Sequence, residues 1–142
     1  MTDTEIADLK CVIVIDANLP IGPIANTAAV LALSLGKAFP ELIGDALPDH
    51  NGHLRAGITT TAIPILRAEG VRLRSLREEL KEHEPQLTVI DLTSATMTTK
   101  SYEAYAEKLL STPVDELEYL GVALCGPKKI VNKFTGNLGL LR

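Results

Sequence analysis

Cys125-Gly-Pro-Lys-Lys129 sets a thiol and two cations where Gly126-Pro127 opens a predicted helix. The unpaired amides and dipole of such a helix start favour an anion and lower a thiol pKa. Cys125 is therefore a candidate nucleophile, and Lys128 and Lys129 are candidate anion-binding residues. The competing reading is a buried cysteine beside two lysines on a solvated face. A second group, Asp91-Leu-Thr-Ser-Ala-Thr-Met-Thr-Thr99, follows a predicted strand and combines a carboxylate with hydroxyls. Asp91 and Thr93 are its candidates for proton transfer, although Ser and Thr also serve as ordinary turn and capping residues. The third group is Asp16-Ala-Asn18 with Asn26 and Thr27 beyond it, placed to hold a small ligand. Its loop has neither G-x-G-x-x-G nor GK[ST], and Pro20 and Pro23 remove amides that a phosphate would need. A self-satisfied turn at Asp16 and Asn18 is the simpler alternative. His50 and His53 lie near Asp45 and Asp49, but a flexible Asn-Gly turn makes a poor metal cage. Solvated histidines are expected there, and neither a metal nor a cofactor is assigned.

These groups need strands and helices to position them. Cys11 to Asp16 is a continuous β-branched run ending in an acid, the pattern of a strand covered on both faces. Ile24 to Ala38 is apolar nearly all round and reads as a largely buried helix. Val30, Leu33 and Leu35 cannot all face one sheet, so that helix needs a second partner, from within the chain or from another copy. Asp49-His-Asn-Gly-His53 predicts a surface hairpin or loop. Thr59 to Leu66 reads as the second strand, weakened by Pro64. Leu73, Leu76 and Leu80 recur at helical spacing among charges, predicting an amphipathic surface helix over residues 70–83. Leu87 to Asp91 is the third strand, Ser101 to Leu110 a short helix capped by its serine, and Leu117 to Leu124 the fourth strand. The last helix carries Ile130, Val131 and Phe134 and ends at Gly136. Strands alternating with helices predict an α/β domain with a mixed, mostly parallel sheet and helices on both faces, its ligands bound beyond the strands' carboxyl ends.

The 142 residues amount to one domain, and 46% hydrophobic against 23% charged composition excludes a disordered chain. With 4% aromatics and no Trp, the chain is poorly suited to stacking bases or sugars. Two cysteines fall short of a disulfide framework or a four-ligand zinc site, and the start carries no signal-peptide pattern, so a cytoplasmic location is expected. The apolar stretch from Leu19 to Ala38 is interrupted by Pro20, Gly22, Pro23, Asn26, Gly36 and Lys37, and no membrane segment is assigned. Net charge is −4, distributed as −8 over residues 1–118 and +4 thereafter, which argues against tRNA as a partner.

Lys10 to Asn18, Phe39-Pro-Glu-Leu-Ile-Gly44, Pro113-Val-Asp-Glu-Leu117 and Leu120 to Lys133 resemble the bacterial family catalogued as domain of unknown function two thousand. By fold that family is grouped with type II peptidyl-tRNA hydrolase, whose last helix is similar to the run from Gly126-Pro127 to Leu138. The resemblance implies a four-stranded mixed sheet over the single domain 1–142, helices on both sides, and a homodimer. It does not imply the activity. Where the hydrolase carries Gly-Lys followed by Gln and His, this chain reads Gly22-Pro-Ile-Ala-Asn-Thr-Ala-Ala-Val30. Only Asn26 and Thr27 could substitute there, and Asp91 with Thr93 or Thr96 matches the hydrolase's Asp and Thr loosely. The expectation is a dimeric binding or regulatory module on that scaffold. The alternative is an enzyme acting on a small anionic substrate through Lys128, Lys129 and either Asp91 or Cys125.

Overall fold

A computed structural model describes residues 1–142. Four strands form the main sheet: β1 (Leu9–Asp16), β2 (Ile65–Ala68), β3 (Thr88–Thr93) and β4 (Tyr119–Pro127). Their spatial order is β2-β1-β4-β3. β1 pairs with β2 in parallel, while β4 runs antiparallel to both β1 and β3. The sheet is therefore mixed, but the expected mostly parallel pairing is incorrect. β1, β2 and β3 do point the same way, yet the last strand inserts between β1 and β3, leaving a single parallel pair. β2 also starts later than the Thr59–Leu66 reading: Pro64 lacks an N–H, and only its carbonyl joins the sheet, accepting from Ile13.

Five helices surround the sheet: α1 (Asp3–Ala7), α2 (Ile21–Ala38), α3 (Gly70–Leu80), α4 (Tyr102–Ser111) and α5 (Lys128–Thr135). α1 starts with a capping box in which the Glu5 N–H donates to Thr2 Oγ1 and the Thr2 N–H to Glu5 Oε2. Each sheet face has its own core, because β1 and β4 alternate apolar residues to both sides. Val12, Val14, Val122 and Leu124 meet Leu73, Leu76 and Leu80 of α3 and Val131 of α5. Ile13, Ile15 and Ala123 meet Leu31 and Leu35 of α2 on the other face. α2 approaches β4 closely at Gly121, where a Cβ would stand 2.7 Å from Thr27 Cγ2.

The largely buried first helix is also corrected. Of α2, only Thr27, Leu31 and Leu35 are buried, and Leu33 is 79% exposed. The sheet can cover only one side of an all-round apolar helix. The hairpin is present, with Leu47–Pro48 paired against Leu54–Arg55. Asp49 organises its turn by accepting from the Asn51 and His53 amides and from Arg55 Nε.

Candidate active-site cleft

The carboxyl ends of β1, β2 and β3 converge at one edge of the sheet, where β4 begins. Asp16, Ser94, Glu118 and Tyr119 meet Gly70 and Arg74 of α3 there around a cavity of about 230 Å³. A neighbouring cavity of about 450 Å³ shares Ser94, Met97 and Glu118 and adds Thr93, Thr98, Lys108 and Thr112. Together they form one cleft. The β3–β4 register is irregular at this edge, passing from Leu92 opposite Gly121 to Thr93 opposite Tyr119 with Leu120 as the extra residue. The Ser94 N–H donates to the Glu118 carbonyl and fixes that corner. Arg74 Nε and Nη2 both donate to the Leu117 carbonyl, at 3.2 and 2.9 Å, which pins the guanidinium at the cleft.

Of the residues singled out in the sequence, this edge brings together Asp16 and Thr93. Asp16 Oδ1 accepts the Asn18 N–H at 2.9 Å, so the self-satisfied turn is what forms, and Asn18 is exposed. The buried Thr93 hydroxyl lies 3.1 Å from Tyr105 Oη. Asn26 is exposed on α2, whereas Thr27 is fully buried and its Oγ1 has no hydrogen-bond partner.

Asp91 takes a different place from the proton-transfer role considered for it. Its Oδ2 accepts from Arg77 Nε at 2.7 Å, and Arg77 Nη1 donates to Glu84 Oε1 at 2.6 Å. Burial works against the Arg77 charge, but the hydrogen bonds and charges of Glu84 and Asp91 outweigh it and hold the guanidinium above its ordinary pKa. Nearby, Tyr119 is pushed up first by burial and then by the Asp91 and Glu78 charges. This network ties α3 to β3; the separation of Arg77 from Asp91 left no sequence signal.

The lysine site also separates from the rest. Lys128 and Lys129 are exposed at the opposite edge of the sheet, where β4 ends, so they cannot act with Asp91 on one small substrate. The Lys128 N–H, an amide that an anion would need, donates to the Asp8 carbonyl. Cys125 is not a free nucleophile: it faces Cys11 across β1 and β4, the two are disulfide-bonded, and both are buried. A cavity of about 490 Å³ at this edge is the larger one, but its charged lining is Glu5 and Asp8, and neither lysine lines it. His50 and His53 are exposed on the hairpin, while His83 packs edge-on against Phe134. Sequence reasoning missed Arg74, Glu118 and Tyr119, since only the fold carries α3 and the start of β4 to the same edge.

The model of the family described as Protein of unknown function (DUF2000) matches residues 9–142. The chain belongs to this family. The DUF2000 chain is also similar to a solved structure, that of the protein of unknown function Atu0240 from Agrobacterium tumefaciens strain C58. The TM-score is 0.85 at 21% identity, over 94% of this chain and 97% of that one. That likeness extends the fold and carries no activity. Among curated proteins there is no match to this DUF2000 member.

Proposed function

We propose that the protein is a dimeric binding or regulatory module whose ligand occupies the cleft at the strands' carboxyl ends. In this reading the scaffold is that of type II peptidyl-tRNA hydrolase without its activity. The four-stranded mixed sheet with helices on both faces supports the scaffold, and an α2 that carries no Lys, Gln or His where the hydrolase motif would fall supports the missing activity. The observation that carries a binding role is the chemistry of the cleft. It offers Arg74, Asp16, Glu118 and several hydroxyls, but no histidine lines it and Asp91 is engaged by Arg77. Such a set suits holding and orienting a ligand more than moving protons. Arg74 is anchored through Nε and Nη2; in this reading its remaining Nη1 donates to a carboxylate or phosphate, and Asp16 or Glu118 accepts from a donor on the same small molecule.

The test is a thermal-shift scan of the pure protein against amino acids, small carboxylates, phosphates, nucleotides, divalent metals and tRNA. A small-anion class should raise the midpoint, the rise should vanish in Arg74→Met, and it should persist in Lys128→Ala/Lys129→Ala. A shift lost only with the lysine pair would overturn the site. Turnover of peptidyl-tRNA would overturn the binding role.

A further inference from the structure

We propose that two copies of this chain join through the open edge of β3 into one continuous eight-stranded sheet. The inference rests on the dimer of the proposed function and names its face.

β3 is an edge strand, with β4 on one side only. Which of its backbone groups face outward follows from the register. Cys11 and Cys125 lie opposite each other with Cα atoms 4.1 Å apart, the spacing of a non-hydrogen-bonded antiparallel pair. Cys125 therefore turns its N–H and C=O toward Thr88 of β3. By alternation Leu87, Val89, Asp91 and Thr93 point away from β4. The chain satisfies the amides at the two ends of this row, Leu87 N–H donating to the His83 carbonyl and Thr93 N–H to Tyr105 Oη. Val89 and Asp91 between them keep an outward donor and acceptor each, without a partner in the chain.

An antiparallel strand centred on Ile90 of a second copy satisfies all of these groups. Val89 then faces Asp91 of the other chain and the reverse, giving four hydrogen bonds about a two-fold axis. A register centred on Asp91 would instead oppose two carboxylates. Charge favours a like partner: Asp91 is the one charged residue of β3 and is already paired with Arg77, and Lys37 is the one charge on α2.

The surroundings of the edge also lack cover. α2 crosses the sheet over β1, β4 and β3, and its Ala32–Gly36 side faces the loop carrying Thr59 and Ile63. Its other side, with the exposed Val30, faces β3, and the 79% exposed Leu33 lies farther round, away from the sheet. α4, attached near the edge through Tyr105, buries none of its residues, and a helix this short is marginal in water by itself. β3 is about 20 Å long, and the sheet edge with the α2 layer on it is about 20 Å deep, or about 400 Å² in plan. That is about half of the roughly 800 Å² per partner that a stable dimer buries, and in this arrangement α4 supplies the rest.

Sedimentation equilibrium of the full chain tests this. The expected mass is twice 15.3 kDa. Val30→Asp should weaken association at least about tenfold, with the far-UV spectrum unchanged because the residue is exposed in one copy. Val89→Pro, which removes an outward amide that an isolated edge strand does not use, should do the same. Ile90→Cys should give a covalent dimer on oxidation. A monomeric wild type that still shows the cleft's ligand shift overturns this inference and leaves ligand binding at the cleft standing. A dimer indifferent to Val30→Asp and Val89→Pro places the interface elsewhere and overturns it. So does a monomer that floats with lipid vesicles, since lipid would then cover α2.

Discussion

Arg77→Met removes the guanidinium from between Asp91 and Glu84 while keeping most of the side-chain stem against α3's neighbours. The side chains of Arg77, Asp91 and Glu84 are 13%, 27% and 35% exposed, so the network lies between two known limits. Exposed pairs contribute about 0–1 kcal/mol, and breaking a fully buried pair costs about 3–5 kcal/mol. Solvent screens both acids in part, which sets the expected cost at about 2–3 kcal/mol. At about 2.1 cal/mol/K of unfolding entropy per residue, a chain of 142 residues loses about 6–10 °C in Tm. Urea unfolding followed by circular dichroism, with Tm from the same signal, measures it. Asp91→Asn alone should cost about 1 kcal/mol, because Arg77 keeps Glu84 and an amide oxygen still accepts from it. The double variant should fall short of additivity by about 1–2 kcal/mol. A loss under about 0.5 kcal/mol for Arg77→Met, or full additivity, would refute a structural clamp. So would Asp91→Asn abolishing the ligand-induced shift at unchanged stability, which would return Asp91 to the site.

Three further outcomes are expected. Thr27→Val replaces a buried hydroxyl that has no partner, so stability should hold or rise by up to about 1 kcal/mol, and a measured loss above that would mean the hydroxyl is satisfied in solution. Unfolded without reductant, the protein should show no free thiol to Ellman's reagent, and reduction should cost up to about 4–5 kcal/mol, since the bridge closes a loop of 114 residues. Tyr119 ionises later in the folded than in the unfolded chain, so its contribution is whole below about pH 10 and is lost as pH rises through the folded value. The alkaline fall in stability should therefore be shallower in Tyr119→Phe than in wild type, and equal slopes would count against it.

The parts of the fold that were legible are those where one physical signal decides. The β-branched run from Cys11 to Asp16 could only be an interior strand, and Leu73, Leu76 and Leu80 could only be the inner face of an amphipathic helix. The order of strands was not legible, because nothing in Tyr119–Pro127 marks it for a place between β1 and β3. Burial of α2 was over-read for a related reason: apolar composition reports a need for cover and not its source. At the site, Asp16 and Thr93 were found because strand ends carry ligands, whereas Arg74 and Glu118 look like ordinary surface charges until tertiary structure gathers them. Asp91 looked reactive only because Arg77, on another element, could not be seen beside it.

The position of β4 also has a consequence for how the molecule is made. The strand that holds both halves of the sheet together is the last one synthesised, so a nascent chain ending before residue 119 can pair β1 only with β2. β3 then waits with both its edges bare and its apolar side chains wet, a state prone to aggregate. Even the outer edge of β2 is closed late, by Gly139 and Leu141 of the C-terminal tail. Assembly of the sheet thus waits for its last strand in chain order, and loss of β4 removes the keystone before any other stone.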